Sequence, residues 1–218
     1  MATCAPVPRP NQAPVIDGLE TIQELGHREF VGGMWEEIGQ LQFDFLVQNG
    51  LRPHHRFLDV ACGCLRGGRH IIPYLNRGNY LGIDKEEVLI NSGIEEIGST
   101  TFEVRKPEFV VSRSFEFEKF SVKPEYAIAQ SLFTHLIPKD IGLCLSNLRK
   151  FVNPGHVFFA TFFVGPSDVN PEESNSRQCF WYSVEQMSAF GQQAGWHSHF
   201  IGDWDHPRGQ QMMRYIAV

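Results

Sequence analysis

The hydrophobic residues of this chain fall into blocks whose period changes along the sequence. Over 21–49 they recur at helical spacing, with Trp35, Ile38, Leu41, Phe45 and Leu46 on one face and Gly50 placed to end the run. The pair Gly32-Gly33 interrupts this stretch and predicts two helices joined by a kink. From residue 56 onward, short apolar runs alternate with helical patterns. Strands are predicted at 57–60 and at a second run closing on Asp84, then at 107–111, 126–129 and 156–164, the last being the most strand-like segment of the chain. Helices are predicted at 67–76, where Pro73 implies an early end or a bend, and at 85–97. A third spans 138–151 with a proline in its first turn, and a fourth spans 183–194, capped by Ser183 with Glu185 and Gln186 close behind. Strands at 196–203 and 210–218 close the chain. The link between them is too short for a helix, so they pair antiparallel.

Alternating strands and helices predict an α/β fold, a doubly wound and mostly parallel sheet of seven strands. An antiparallel C-terminal hairpin and N-terminal capping helices complete it. The Pro-rich start, residues 1–16, lacks an apolar signal core and is expected to be a flexible tail. Residues 17–50 are expected to form the helical lid or cap, and 51–218 a single domain, the count that 218 residues favour.

Residues 56–84, RFLDVACGCLRGGRHIIPYLNRGNYLGID, form the most informative unit. A strand ends in the small-residue turn Ala61-Cys62-Gly63-Cys64, and a second strand ends in a carboxylate about twenty residues later. Small residues let a ligand approach the first turn, and the distal carboxylate can accept hydrogen bonds from a ribose. The unit is therefore expected to bind a nucleoside-containing cofactor. A dinucleotide site needs G-x-G-x-x-G, whereas this turn is A-C-G-C-L-R-G-G with Asp59 two residues ahead of it. An NAD-dependent Rossmann oxidoreductase is thus the weaker alternative.

The unit resembles the first motif of the class I S-adenosylmethionine-dependent methyltransferases, an acidic residue followed by x-G-x-G-x-G. Asp59 matches the acid, Ala61 and Gly63 the first two glycines, and Leu65 stands at the third, a departure that Gly67 and Gly68 are expected to cover. The resemblance extends over about 56–165 and is specific in its first part. It implies S-adenosyl-L-methionine as cofactor, with Asp84 on the ribose hydroxyls and the amino acid moiety against Ala61, Cys62 and Gly63, next to Leu65 and Arg66. It implies that Asp59 anchors the turn or reaches the cofactor's amino group through water, and that Gln130 offers its backbone carbonyl to that amine. The adenine is expected between Lys85 or Glu86 and the stretch 112–117, with Phe115 as stacking partner and Glu116 beside it. The segment 129–135 would face the methionine end, bringing Ser131, Thr134 and His135 to the reaction centre.

Composition narrows the partners. Net charge is −6 with no long basic run, which gives no electrostatic draw toward nucleic acid or an anionic membrane. No apolar stretch has the length of a membrane span, and a cytoplasmic protein is expected. The five cysteines and nine histidines show no metal-ligand spacing, so no structural metal is expected. The Asn/Asp-Pro-Pro-Tyr/Phe sequence of amino-group methylases acting on adenine, cytosine or glutamine is missing, so the acceptor is expected to be an oxygen or nitrogen of a small molecule. His135 and His206 are the candidate bases, since an imidazole takes a proton near neutral pH. Trp35 in the lid, Thr134, the pair Trp181 and Tyr182, and Arg208 are the candidate acceptor contacts. A catalytically silent, cofactor-binding partner subunit is the alternative from another class.

Overall fold

The computed structural model describes residues 18–218. The tail expected over 1–16 lies outside the described residues. The strands are β1 Phe57–Val60, β2 Tyr80–Asp84, β3 Glu108–Val111, β4 Tyr126–Ala129, β5 Val157–Val164, β6 Trp181–Tyr182, β7 Trp196–Asp203 and β8 Gln211–Ala217. The α-helices are α1 Gly18–Leu25, α2 His27–Phe30, α3 Trp35–Gln48, α4 Gly68–Tyr74, α5 Glu87–Ile97, α6 Ser99–Arg105, α7 Pro138–Phe151 and α8 Val184–Gln193.

The main path of the sheet runs β3-β2-β1-β4-β5-β8-β7. Its first five strands are parallel, and β8 is antiparallel to both β5 and β7. The order reverses between β1 and β4, so their carboxyl ends open a crevice where ligands collect in sheets of this kind. The reversed β8 also separates this sheet from the dinucleotide-binding order 3-2-1-4-5-6.

Alternation along the strands places a core on each face. Leu58, Val60, Ala127, Ala129, Phe158 and Ala160 pack with α7 and α8. Phe57, Tyr80, Ile128 and Phe159 pack with α3, α4 and α5 on the other face. Phe45 of α3 meets Phe159 and Trp204 edge-on, at ring-centroid distances of 5.1 and 5.4 Å, which pins α3 across the sheet. Helix α8 starts in a capping box, with Ser183 and Gln186 satisfying each other's backbone N–H groups.

Three features differ from the sequence expectation. The N-terminal stretch breaks into three helices. Gly26 has φ +81°, and Gly32, Gly33 and Met34 follow one another at φ 94°, 60° and 47°, a turn too tight for a mere kink. Helix α6 is additional; its STTFEVR has β-branched residues and follows α5 after Gly98 at φ +78°. The short β6 adds an eighth strand beside the end of β5, pairing Phe163 with Trp181 and Val164 with Tyr182. Two residues are too few to register as a periodic pattern.

Candidate active site

The β1–α4 turn has an alternating backbone. Ala61, Gly63 and Leu65, the three positions matched to motif glycines, all lie in the left-handed region, at φ 59°, 53° and 64°. Gly67 is right-handed, at φ −77°. The expectation that Gly67 and Gly68 make up for Leu65 is therefore corrected: Leu65 itself takes the glycine conformation. That costs about 1–2 kcal/mol per non-glycine residue. Burial offsets it for Leu65, which is fully enclosed and packs on α5 where Gly93 leaves room. A Cβ at Gly93 would come within 2.5 Å of Leu65 Cγ.

Asp84 ties this turn to the end of β2. Its Oδ2 accepts from Gly63 N–H at 2.8 Å and its Oδ1 from Glu86 N–H at 2.9 Å. Burial raises its pKa, with those two backbone donors opposing the rise. Asp59 accepts from the Tyr80 hydroxyl at 2.7 Å, and burial pushes its carboxyl up to about 7. Glu86 lies two residues beyond Asp84. It is 6 % exposed, and its Oε1 has no hydrogen-bond partner, with Arg113 and Lys85 at 3.6 and 3.9 Å.

These groups face one cavity of about 510 Å³. Its wall also carries Cys62, Arg66, Lys85 and Phe115, with Gln130, Ser131, Thr134 and His135 from the segment after β4 and Arg208 from the β7–β8 loop. Phe115 is held at φ 57° and its carbonyl is bound by Asn147. The hub past β4 is the Gln130 side chain. Its Oε1 accepts from Arg66 at 2.7 Å, and its amide donates to Ser131 Oγ at 2.6 Å. Arg66 also donates to the carbonyls of Gly33 and Val31, which fastens the N-terminal segment to the turn. His135 donates from Nδ1 to the Gln178 carbonyl at 2.8 Å, since a carbonyl can only accept. In the neutral ring Nε2 then keeps the lone pair. Burial, together with the charge of Lys85, lowers the His135 pKa below 6.5.

Several expected site residues lie outside this wall. Trp35 is buried with Ile22, Cys64 and Leu89 beneath the turn, under the Arg28 guanidinium. Tyr182 is core, its hydroxyl donating to the Leu136 carbonyl at 2.6 Å, and Trp181 packs against Phe163 and Gly165. Leu65 is sealed in the core, and Glu116 turns to Lys119 and Ser112. His206 is stacked on Trp204 and reaches the cavity only through Gln130, at 3.2 Å. Burial and the charges of Arg66 and Arg208 hold its pKa down at about 4. These six are corrections to the expected site lining, and the reason is common to them: each side chain is committed to packing or to a local partner.

The wall also includes residues that the sequence did not single out. Phe30 and Val31 come from the N-terminal segment, Asp140 and Leu143 from α7, and Ser174, Asn175 and Arg177 from the loop before β6. That loop is stitched to the segment after β4 by Asn175 N–H to His135 O and by Phe180 N–H to Thr134 O. It has no periodicity to betray it. Glu86, two residues past the strand-ending Asp84, was expected beside the adenine.

The residues fit S-adenosylmethionine. The left-handed turn brings Ala61, Cys62 and Gly63 to the cavity wall, and Asp84 with the Glu86 oxygen that lacks a hydrogen-bond partner offers acceptors for ribose hydroxyls. No family model matches the chain. Among solved structures it is similar to the pyocyanin biosynthetic protein PhzM, at 14% identity and TM-score 0.66 over 93% of this chain and 62% of that one. It is similar to magnesium protoporphyrin IX methyltransferase from Synechocystis with bound S-adenosylmethionine, at 11% identity and TM-score 0.64 over 95% of this chain and all of that one. A methyltransferase from Clostridium acetobutylicum matches 90% of this chain and 97% of its own, at 10% identity and TM-score 0.61. The chain has the class I S-adenosylmethionine-dependent methyltransferase fold. No helix among the described residues is long and apolar enough to cross a membrane.

Proposed function

We propose that this protein is an S-adenosylmethionine-dependent methyltransferase acting on an oxygen or nitrogen of a small molecule. The observation that carries the reading is one continuous cavity that joins the left-handed turn and the Asp84–Glu86 carboxylates to His135. When bound, the cofactor supplies an electrophilic methyl group on a sulfonium. The chain's own work is then to hold the acceptor in line and keep water out.

Asp84 and Glu86 take the ribose hydroxyls. Phe115, opposite Lys85, stacks on the adenine, and Ala61, Cys62 and Gly63 leave room for the methionine moiety. Asp59 braces the turn through Tyr80. His135 is the base, because its Nδ1–H bond to Gln178 fixes the ring and leaves Nε2 to take the acceptor's proton. His206 is not retained as a base. A pKa near 4 makes it a weak one, and Gln130 stands between it and the cavity. Phe30 and Val31 of the N-terminal segment line the same cavity, with Val31 against the turn at Gly63.

The test is calorimetric titration with S-adenosylhomocysteine and with NAD, followed by transfer of an isotopically labelled methyl group to a panel of small phenols, amines and carboxylic acids. The reading predicts binding of S-adenosylhomocysteine alone and label in at least one acceptor. Binding without any transfer across a broad panel would favour a silent cofactor-binding subunit.

A further inference from the structure

Four arginines line the cavity: Arg66, Arg113, Arg177 and Arg208. Arg113 lies 3.6 Å from Glu86. Among the described residues the other three have no carboxylate within ion-pair distance and donate only to neutral oxygens. Arg66 reaches Val31 O, Gly33 O and Gln130 Oε1; Arg177 reaches the Thr21 hydroxyl; Arg208 reaches the Gly32 carbonyl. Arg66 is buried and feels the charge of Asp59, whereas Arg177 and Arg208 are exposed and, among the described residues, have neither an ion-pair partner nor a bond to a carboxylate. Asp140, in the first turn of α7, also lines the cavity and accepts from the Ser174 hydroxyl. There the helix dipole already favours a carboxylate.

Arg208 acts on Arg66. Burial holds Arg66 down at about 10, and the charge of Arg208 adds to the effect. An anion placed in the cavity would relieve that repulsion. The methionine carboxylate of the cofactor accounts for one cation, and Arg66, in the turn itself, is the one placed for it. Arg177 and Arg208 remain. They come from different loops, and each is aimed by a single bond to the N-terminal segment, so that most of the five N–H donors of each guanidinium stay available. A guanidinium fork matches a carboxylate geometrically as an ammonium does not.

We propose that the acceptor is an anion, a small hydroxylated or aminated molecule whose carboxylate is held by Arg177 and Arg208. This rests on the methyltransferase reading above. It makes the two arginines specificity residues and His135 the group that meets the acceptor's other end.

The experiment uses the full chain saturated with S-adenosylhomocysteine and titrated calorimetrically with matched pairs, hydroxybenzoates against hydroxybenzamides and aminobenzoates against aminobenzamides. At least one carboxylate is expected to bind ten times more tightly than its amide. Arg177→Met with Arg208→Met should abolish that preference and leave affinity for S-adenosylhomocysteine within twofold. The corresponding lysine variants, which keep the charge, should restore part of it and guard against misfolding. Equal binding of acids and amides, no binding of any acid at millimolar concentration, or a preference that survives the double variant would overturn the proposal. A tenfold loss of S-adenosylhomocysteine affinity in Arg208→Met would assign that arginine to the cofactor and overturn it as well. If the unmodified protein does not bind S-adenosylhomocysteine, it is the methyltransferase reading that fails.

Discussion

The two halves of the cavity are built on opposite principles. On the cofactor side, three carboxylates, Asp59, Asp84 and Glu86, sit at the carboxyl ends of β1 and β2, all buried and fixed by strands, tight turns and backbone donors. On the proposed acceptor side, arginines and hydroxyls come from three loops, and hydrogen bonds to distant segments fix them. The first half is local in sequence, lying within residues 59–86. The second joins residues more than 150 positions apart, such as Thr21 with Arg177 and Gly32 with Arg208. Chemistry common to every reaction of a cofactor can be built into a rigid strand-turn-helix unit. Chemistry particular to one acceptor is placed on loops, which can change without disturbing the sheet.

The largest effect should come from striking the rigid half. Gly63→Val puts a β-branched residue at φ +53° with Val31 Cγ1 3.1 Å from the new Cβ. Affinity for S-adenosylhomocysteine is expected to fall at least a hundredfold, with a loss of about 1–3 kcal/mol in stability read by denaturant unfolding. Retained affinity would mean that the turn is not the cofactor's seat.

Next comes His135→Ala, on the loop-built half. Turnover should fall about 100- to 10,000-fold while S-adenosylhomocysteine affinity is unchanged. The sign of the pH dependence follows from the lowered pKa. The base works only when neutral, so activity is full above the ordinary histidine range and falls as pH drops through a value below 6.5. The variant should lack that acid limb. An identical pH profile in both proteins would remove His135 from catalysis.

How much of this contrast could be read from the sequence follows from the same physics. The turn, Asp59 and Asp84 stood out because strand, small residues and acid are contiguous, and the reversed hairpin followed from a short link. The left-handed Leu65 was hidden, since nothing local announces that a leucine will take a glycine's conformation; only the space left by Gly93, 28 positions on, permits it. The aromatic candidates Trp35, Trp181 and Tyr182 were misplaced for a general reason. Trp35 and Tyr182 gain more by burial than by lining an open wall, and half-buried Trp181 is held by Phe163 and the β5 end; eighteen phenylalanines had already marked this chain as one with an aromatic core. The loop 174–177 gave no pattern at all.

A third expectation concerns Asp59. Its folded pKa, about 7, lies above the unfolded value near 4, so the folded state binds the extra proton and loses stability as pH rises through that interval. Asp59→Asn should therefore gain on the parent protein between pH 4 and pH 7, by on the order of a few kcal/mol at most. Chemical unfolding at several pH values measures the difference, and a constant difference would show that Asp59 titrates normally. The smallest effect is that of Ala61→Gly. Relief of a left-handed alanine is worth about 1–2 kcal/mol, and the added freedom of the unfolded chain costs about 0.4–1 kcal/mol. A net gain below about 1.5 kcal/mol is expected, visible as a small rise in Tm. A loss would mean that the alanine methyl makes a contact that matters more than its backbone strain.

The acidic half is proposed to hold the ribose of S-adenosylmethionine through Asp84 and the Glu86 oxygen that has no hydrogen-bond partner. Calorimetric titration of S-adenosylhomocysteine into the parent protein, Asp84→Asn and Glu86→Gln tests it most directly. Hydrogen bonds to a charged group contribute about 1.5–3 kcal/mol, so each variant should bind roughly ten to a hundred times more weakly while the fold, followed by circular dichroism, is kept. Unchanged affinity in both variants would contradict the claim.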